Sequence, residues 1–94
     1  MDKEIFKQNA KKTIDEIYNA IERIQEKATI VEGEARVRFE QNLVELKAMK
    51  KDLQAKYDKL GNTSEEKWEE VKNAFSSASE SFKEGFKKLT SIIK

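Results

Sequence analysis

The sequence has 94 residues, of which 39% are charged and 37% hydrophobic, and its formal net charge is +1. This length allows one domain, 1–94, and the even mixture of basic and acidic residues gives no concentrated basic face, so no nucleic-acid partner is expected. The chain contains neither cysteine nor histidine, which excludes disulfides, thiol nucleophiles and the common zinc sites.

The N-terminal residues contain no apolar run of signal-peptide length. No stretch of the sequence approaches the roughly 20 apolar residues that a membrane-spanning helix needs. The lack of cysteine fits a reducing compartment. Together these observations predict a cytoplasmic protein.

Apolar side chains recur at steps of three and four residues from the N-terminal region to Leu60. This is the period of an α-helix with one apolar face. Proline is absent, and the first strong turn signal follows Leu60. The pattern therefore predicts an all-α fold, in which a helix over about residues 3–60, a turn at 61–63 and a helix over about 64–93 form an antiparallel coiled-coil hairpin.

The predicted long helix has one weak point, at residues 29–34. Thr29, Ile30 and Val31 are consecutive β-branched residues, which lose side-chain freedom in a helix, and Gly33 costs about 1 kcal/mol relative to alanine. A break there would give a three-helix bundle. Against a break, the segment contains no proline, asparagine, aspartate or serine, and the apolar pattern continues through it. The continuous helix is the favoured interpretation, and the three-helix bundle is the alternative.

The turn at 61–63 carries its own local signals. Gly61 suits the left-handed conformation that often follows a helix end, and Thr63 with Glu66 has the spacing of a capping box. Folding the second helix back at this turn places Gly85 opposite Phe39 and brings the apolar faces of both helices together. The predicted hairpin core consists of Phe39, Leu43, Leu46, Leu53, Tyr57, Trp68, Val71, Phe75, Phe82 and Leu89.

The hairpin leaves the N-terminal half of the long helix without a partner. An exposed apolar stripe of this size marks an interaction surface. We therefore predict a homodimer in which the long helices run antiparallel and the stripe of each chain lies on the other chain's hairpin. If the chain bends at residues 29–34, the same contacts close within one molecule, and the dimer is its domain-swapped form. The residues predicted to mediate self-association are Phe6, Ile14, Ile17, Ile21, Ile24 and Val31.

The residue inventory favours a non-enzymatic structural or interaction protein. There is no histidine, cysteine or glycine-rich phosphate loop, and the carboxylates lie among lysines at helical spacing, which is typical of solvated helix faces. No metal or cofactor is expected. Trp68, Phe75, Phe82 and Phe86, with lysines nearby, also suit a helix on a lipid surface. Core packing is the favoured explanation, and binding to a lipid or membrane surface is the alternative function.

The second helix follows a serine in the turn and contains a tryptophan, an aliphatic–lysine pair and further aromatic residues. These are Ser64, Trp68, Val71, Lys72, Phe75 and Phe82. In this arrangement the sequence resembles a group of small bacterial coiled-coil proteins, some of them labelled stress-response proteins, over about residues 11–93. The resemblance implies a soluble, cytosolic, non-enzymatic protein and leaves its partner protein and cellular role open. Gly33 and the β-branched residues before it depart from the pattern of the group.

Overall fold

The computed structural model describes residues 3–93, and within them the chain forms three α-helices joined by short turns that contain 3-10 helix. The described residues include no β-strand, so the prediction of an all-α fold is confirmed. In chain order the elements are α1 (Lys3–Glu26), a first 3-10 helix (Lys27–Ile30), α2 (Gly33–Gly61), a second 3-10 helix (Glu65–Lys67) and α3 (Trp68–Ile92).

The three helices run up, down and up, and they form a rod that measures 50 × 17 × 17 Å along its principal axes. α2 packs closely against both other helices, whereas the backbones of α1 and α3 approach each other less closely. This architecture is the three-helix bundle that was predicted as the alternative to the hairpin.

The prediction of one continuous helix over about residues 3–60 is wrong, because α-helical backbone stops at Glu26 and resumes at Gly33. The Thr29 hydroxyl donates a hydrogen bond to the Glu26 carbonyl oxygen at 3.3 Å, which is a local alternative to regular helix bonding. Val31 then leaves the helix with φ −105° and ψ 130°, the extended conformation that suits β-branched residues. The helix therefore breaks where Val31 and Glu32 take extended backbone before the left-handed Gly33.

Gly33 permits the reversal of the chain between α1 and α2. Its φ of +67° lies in the left-handed region, which glycine enters without the steric cost that a Cβ atom imposes. Gly61, which was predicted to adopt this conformation, does not have a positive φ and is instead the last residue of α2. The prediction assigned the left-handed glycine to the wrong turn, because the composition around Gly61 resembles a turn more strongly.

The second turn is longer than the predicted turn at 61–63. A 3-10 helix at Glu65–Lys67 comes before α3, so regular α-helix begins at Trp68 rather than near residue 64. The backbone at the start of this 3-10 helix receives no side-chain capping bond. The capping box predicted from Thr63 to Glu66 is therefore wrong.

The longer turn changes the register of the hairpin. A Cβ atom added to Gly85 would lie 3.1 Å from Leu46 Cδ2, so Gly85 faces Leu46 and not Phe39 as predicted. The facing position has moved by one heptad along α2. Because α3 begins at Trp68 rather than near residue 64, the longer connection shifts the facing position in this direction.

The core runs along the whole rod and contains every residue of the predicted hairpin core. Tyr57 and Val71 are partly buried and pack against it, and the other eight are buried. Leu60 and Ala10 are buried as well. The rest of the buried core comes from α1 and the turn that follows it: Ile14, Ile17, Ile21, Ile24 and Val31.

Candidate self-association surface

The predicted self-association residues lie together on one side of the chain's first third, and we call them the apolar stripe. Those within α1 project from one face because they recur at helical spacing. All are buried except Phe6, which is partly buried against the core. The chain's own α2–α3 hairpin therefore occupies the surface that the sequence analysis assigned to a second copy. The apolar stripe consists of Phe6, Ile14, Ile17, Ile21, Ile24 and Val31.

The N-terminal end of α1 contacts the start of α3 through aromatic rings. Phe6 packs edge-to-face against Trp68 and Phe75, with ring centroids 5.8 and 6.2 Å apart. Lys3 Nζ lies 3.0 Å from Glu65 Oε1 and 5.4 Å from the centroid of the Trp68 ring. An ion pair that is this exposed contributes little to stability, so the aromatic contacts are the main attachment at this end.

A smaller polar cluster joins α1 to α2 near the middle of the rod. The Tyr18 hydroxyl donates a hydrogen bond to Gln54 Oε1 at 2.9 Å, and Lys50 Nζ lies 4.7 Å from the centroid of the Tyr18 ring. Sequence reasoning missed this cluster because Tyr18 lies outside the apolar pattern and its partners are distant in the chain. No local spacing signals such a contact.

Residues 27–33 form the hinge segment between α1 and α2. Glu32, the residue before α2, has extended backbone with φ −130° and ψ 164°, and its side chain caps no amide of the helix. The first amides of α2 therefore have neither an intrahelical partner nor a side-chain cap. A Cβ atom added to Gly33 would meet nothing within 4 Å, so the backbone angle alone restricts the residue at this position.

An open groove separates α1 from α3 along part of the rod. It encloses about 370 Å³. Ile17 and Ala20 of α1 line one side, and Phe82 and Phe86 of α3, whose rings are stacked with centroids 6.0 Å apart, line the other. The groove follows from the wider separation of these two helices, and it leaves α1 less tightly enclosed than α2.

The outer surface of the bundle is mainly charged. Lysine or arginine pairs with aspartate or glutamate at helical spacing, as in Lys56–Asp52 at 2.7 Å and Arg36–Glu40 at 3.1 Å. The apolar exceptions on α2 are Val37, which is 57% exposed, and Val44, which is 67% exposed. Two valines one heptad apart form a far smaller apolar surface than the stripe of α1.

The polar side chains of the described residues lie at the surface of the bundle and not in its core. Across residues 3–93, no three acidic, cysteine or histidine side chains group closely enough to hold a metal ion. Every fully buried side chain among these residues is apolar. None of the described helices combines the length and apolar character needed to cross a membrane.

No family model, curated protein or solved structure gives a significant match to this sequence. The resemblance to small bacterial coiled-coil proteins therefore stays a prediction. Three packed helices do not by themselves assign a function.

Proposed function

We propose that the protein is a non-enzymatic structural protein that self-associates through its amphipathic helices, as a homodimer, in the cytoplasm. A role in a stress response, suggested by the resemblance of the second helix, and a further protein partner belong to the same proposal. The observation that carries it is the apolar stripe, whose side chains share one core with the α2–α3 hairpin. A second copy of the chain offers an identical hairpin.

The side chains of the apolar stripe have to be buried against a hairpin, and that hairpin can belong to the same chain or to a second copy. Burial of each large aliphatic side chain is worth about 1.5–3 kcal/mol, so α1 does not remain exposed in water. α2 and α3 pack more closely on each other than α1 packs on either of them. The polar links of α1, at Lys3 and Tyr18, involve exposed side chains. Exchange of α1 between copies therefore preserves the apolar contacts and loses little else.

The absence of an enzymatic activity is proposed from composition. A chain without histidine and cysteine lacks the commonest general base and the thiol nucleophile. Its carboxylates lie on exposed helix faces, where several pair with lysine or arginine three or four residues away. Glu16, Glu80 and Glu84 line the open groove between α1 and α3, but all three side chains remain exposed to water.

The alternative of a lipid-binding protein receives less support from the aromatic residues. Trp68, Phe75 and Phe82 are buried in the core, and only Phe86 is partly exposed. A helix that lies on a lipid surface needs its aromatic and aliphatic side chains on an outer face. The aromatic face of α3 instead packs within the bundle, which favours the structural role.

Sedimentation equilibrium tests the proposed self-association. We expect the wild-type chain to show a concentration-dependent equilibrium between monomer and dimer. The double variant Val37→Lys, Val44→Lys should dimerise like wild type, because both valines lie on the outer face of α2. A wild-type chain that stays monomeric up to its solubility limit would contradict the proposal. Loss of dimer in the double variant would instead place the interface on the outer face of α2.

A further inference from the structure

We infer that the chain dimerises by straightening its hinge segment, so that α1 and α2 become one continuous helix and each α1 packs on the hairpin of a second copy. This inference rests on the proposed function and specifies its partner and its contact surface. The partner is a second copy of this chain. The contact surface is the side of the α2–α3 hairpin that α1 covers in the closed bundle.

Few residues have to move to straighten the chain. Lys27–Ile30 already has 3-10 helical backbone, which differs only slightly from α-helix. Val31 and Glu32 are extended and Gly33 is left-handed. Rotation of the backbone at these three residues is enough to join α1 to α2.

Straightening supplies hydrogen-bond partners that the hinge lacks. In the closed bundle the first amides of α2 have no side-chain cap. Before them, the Ala28 carbonyl oxygen accepts a 3-10 bond from Val31 N–H at 3.3 Å, and the Glu26 carbonyl oxygen accepts a bond from the Thr29 hydroxyl at 3.3 Å. In a continuous helix the first amides of α2 donate to the carbonyl oxygens of the residues four positions earlier. The opposing cost is the β-branched run in the hinge, which a helix disfavours. These local terms oppose each other, so concentration can decide between the two forms.

The apolar pattern continues through the hinge in the correct phase. Ala28, Val31 and Ala35 follow one another at steps of three and four, so in a straight helix they lie on the same face as the stripe. In the closed bundle Val31 is buried, and Ala28 and Ala35 pack against the core. In the dimer the two antiparallel helices keep Tyr18 beside Lys50 and Gln54, so they cross near Ala35, whose small side chain allows close approach.

In the exchanged dimer, the contacts that α1 makes within one chain are formed between two chains. The packing of Phe6 on Trp68 and Phe75, and the hydrogen bond from Tyr18 to Gln54, keep the same partner residues on a second copy. The exchanged dimer therefore loses no contact outside the hinge. This is the usual condition for domain swapping, in which a hinge sets the balance between forms.

Substitution of Gly33 tests the inference by sedimentation equilibrium of the full chain. Gly33→Ala should raise the equilibrium constant for straightening one chain by a factor of about five. Two chains straighten in each dimer, so the dimerisation constant should rise about 25-fold. The left-handed backbone of the closed form is also strained for alanine, so we expect at least about this increase. Gly61→Ala is the matched control, because Gly61 has no positive φ and ends α2 in both forms.

A second variant tests the opposite direction. Insertion of two glycines between Glu32 and Gly33 lengthens the hinge and interrupts a continuous helix, so the dimerisation constant should fall below that of wild type. This variant decides the matter if Gly33→Ala does not fold. In that case a dimerisation constant at or above the wild-type value in the insertion variant would overturn the inference.

The outcomes separate the exchange from self-association in general. A wild-type dimer whose dimerisation constant is unchanged by Gly33→Ala would reject the exchange and leave self-association through another face. A wild-type trimer or tetramer would reject it in the same way. Monomers in both wild type and Gly33→Ala, up to the solubility limit, would reject the exchange and the proposed function together.

Discussion

Replacement of Phe39 by alanine is expected to lower the free energy of unfolding by about 3–5 kcal/mol. Phe39 is fully buried, at 0% exposure, and it lies on α2, the helix that packs closely against both others. Removal of the ring takes away its apolar burial and leaves a cavity that the neighbouring helices fill only in part. Urea denaturation monitored by circular dichroism measures the loss.

The matched control for Phe39→Ala is Val44→Ala on the same helix. Val44 is 67% exposed, so its replacement should change the free energy of unfolding by no more than about 0.5 kcal/mol. Both variants should be compared with wild type at one low protein concentration, because dimer formation shifts apparent stability by mass action. Equal, small losses in the two variants would contradict the placement of Phe39 in the core.

Replacement of Ile21 by alanine is the second large effect, with an expected loss of about 2–5 kcal/mol in the free energy of unfolding. Ile21 lies at the middle of the apolar stripe and is 2% exposed. The loss depends on α1 being packed on a hairpin. In a monomer with one long unbroken helix Ile21 would face water, and its replacement would cost little.

The control for Ile21→Ala is the same substitution at Ile5. Ile5 lies on the same helix but is 56% exposed, so Ile5→Ala should stay within about 0.5 kcal/mol of wild type. Urea denaturation measured by Trp68 fluorescence is suited to this pair, because the contact between Phe6 and Trp68 reports directly on α1. If the two isoleucine variants unfold at the same urea concentration, α1 is not packed as described.

The fold class and the core could be predicted because both depend on helical period alone. Side chains such as Leu53 and Leu89 recur on one face in any arrangement of these helices. The break at the hinge segment could not be located in the same way, because Val31 faces the core both in a continuous helix and in the three-helix bundle. Apolar residues keep their spacing of three and four through this turn, so the periodicity gives no sign of it. Only the local backbone preferences of Thr29–Val31 and Gly33 indicate the turn.

The membership of the apolar stripe could also be predicted, but the molecule that covers it could not. Ile14 or Ile21 makes the same contacts whether the hairpin belongs to its own chain or to a second one, so side-chain pattern does not distinguish the two. The position of Gly85 opposite Leu46 depends on the length of the second turn. The cluster around Tyr18 depends on tertiary packing, which has no local signal.

The closed and exchanged forms differ greatly in length. The closed bundle is 50 Å long, whereas one continuous helix over residues 3–61 would extend about 88 Å at about 1.5 Å per residue. In the proposed exchange, straightening of the hinge segment converts one short rod into a dimer of much greater length. The proposed structural role would therefore depend on protein concentration.

The most direct measurement is the distance between spin labels at Lys7→Cys and Asp58→Cys in one chain. The wild-type sequence has no cysteine, and both residues line the same small cavity in the closed bundle. Labelled chain should be diluted into excess unlabelled chain, so that only distances within a chain are recorded. We expect a single short distance in the monomer and a distance of about 75 Å in the dimer. A long distance in the monomer, or a short one in the dimer, would contradict the closed bundle or the exchange, respectively.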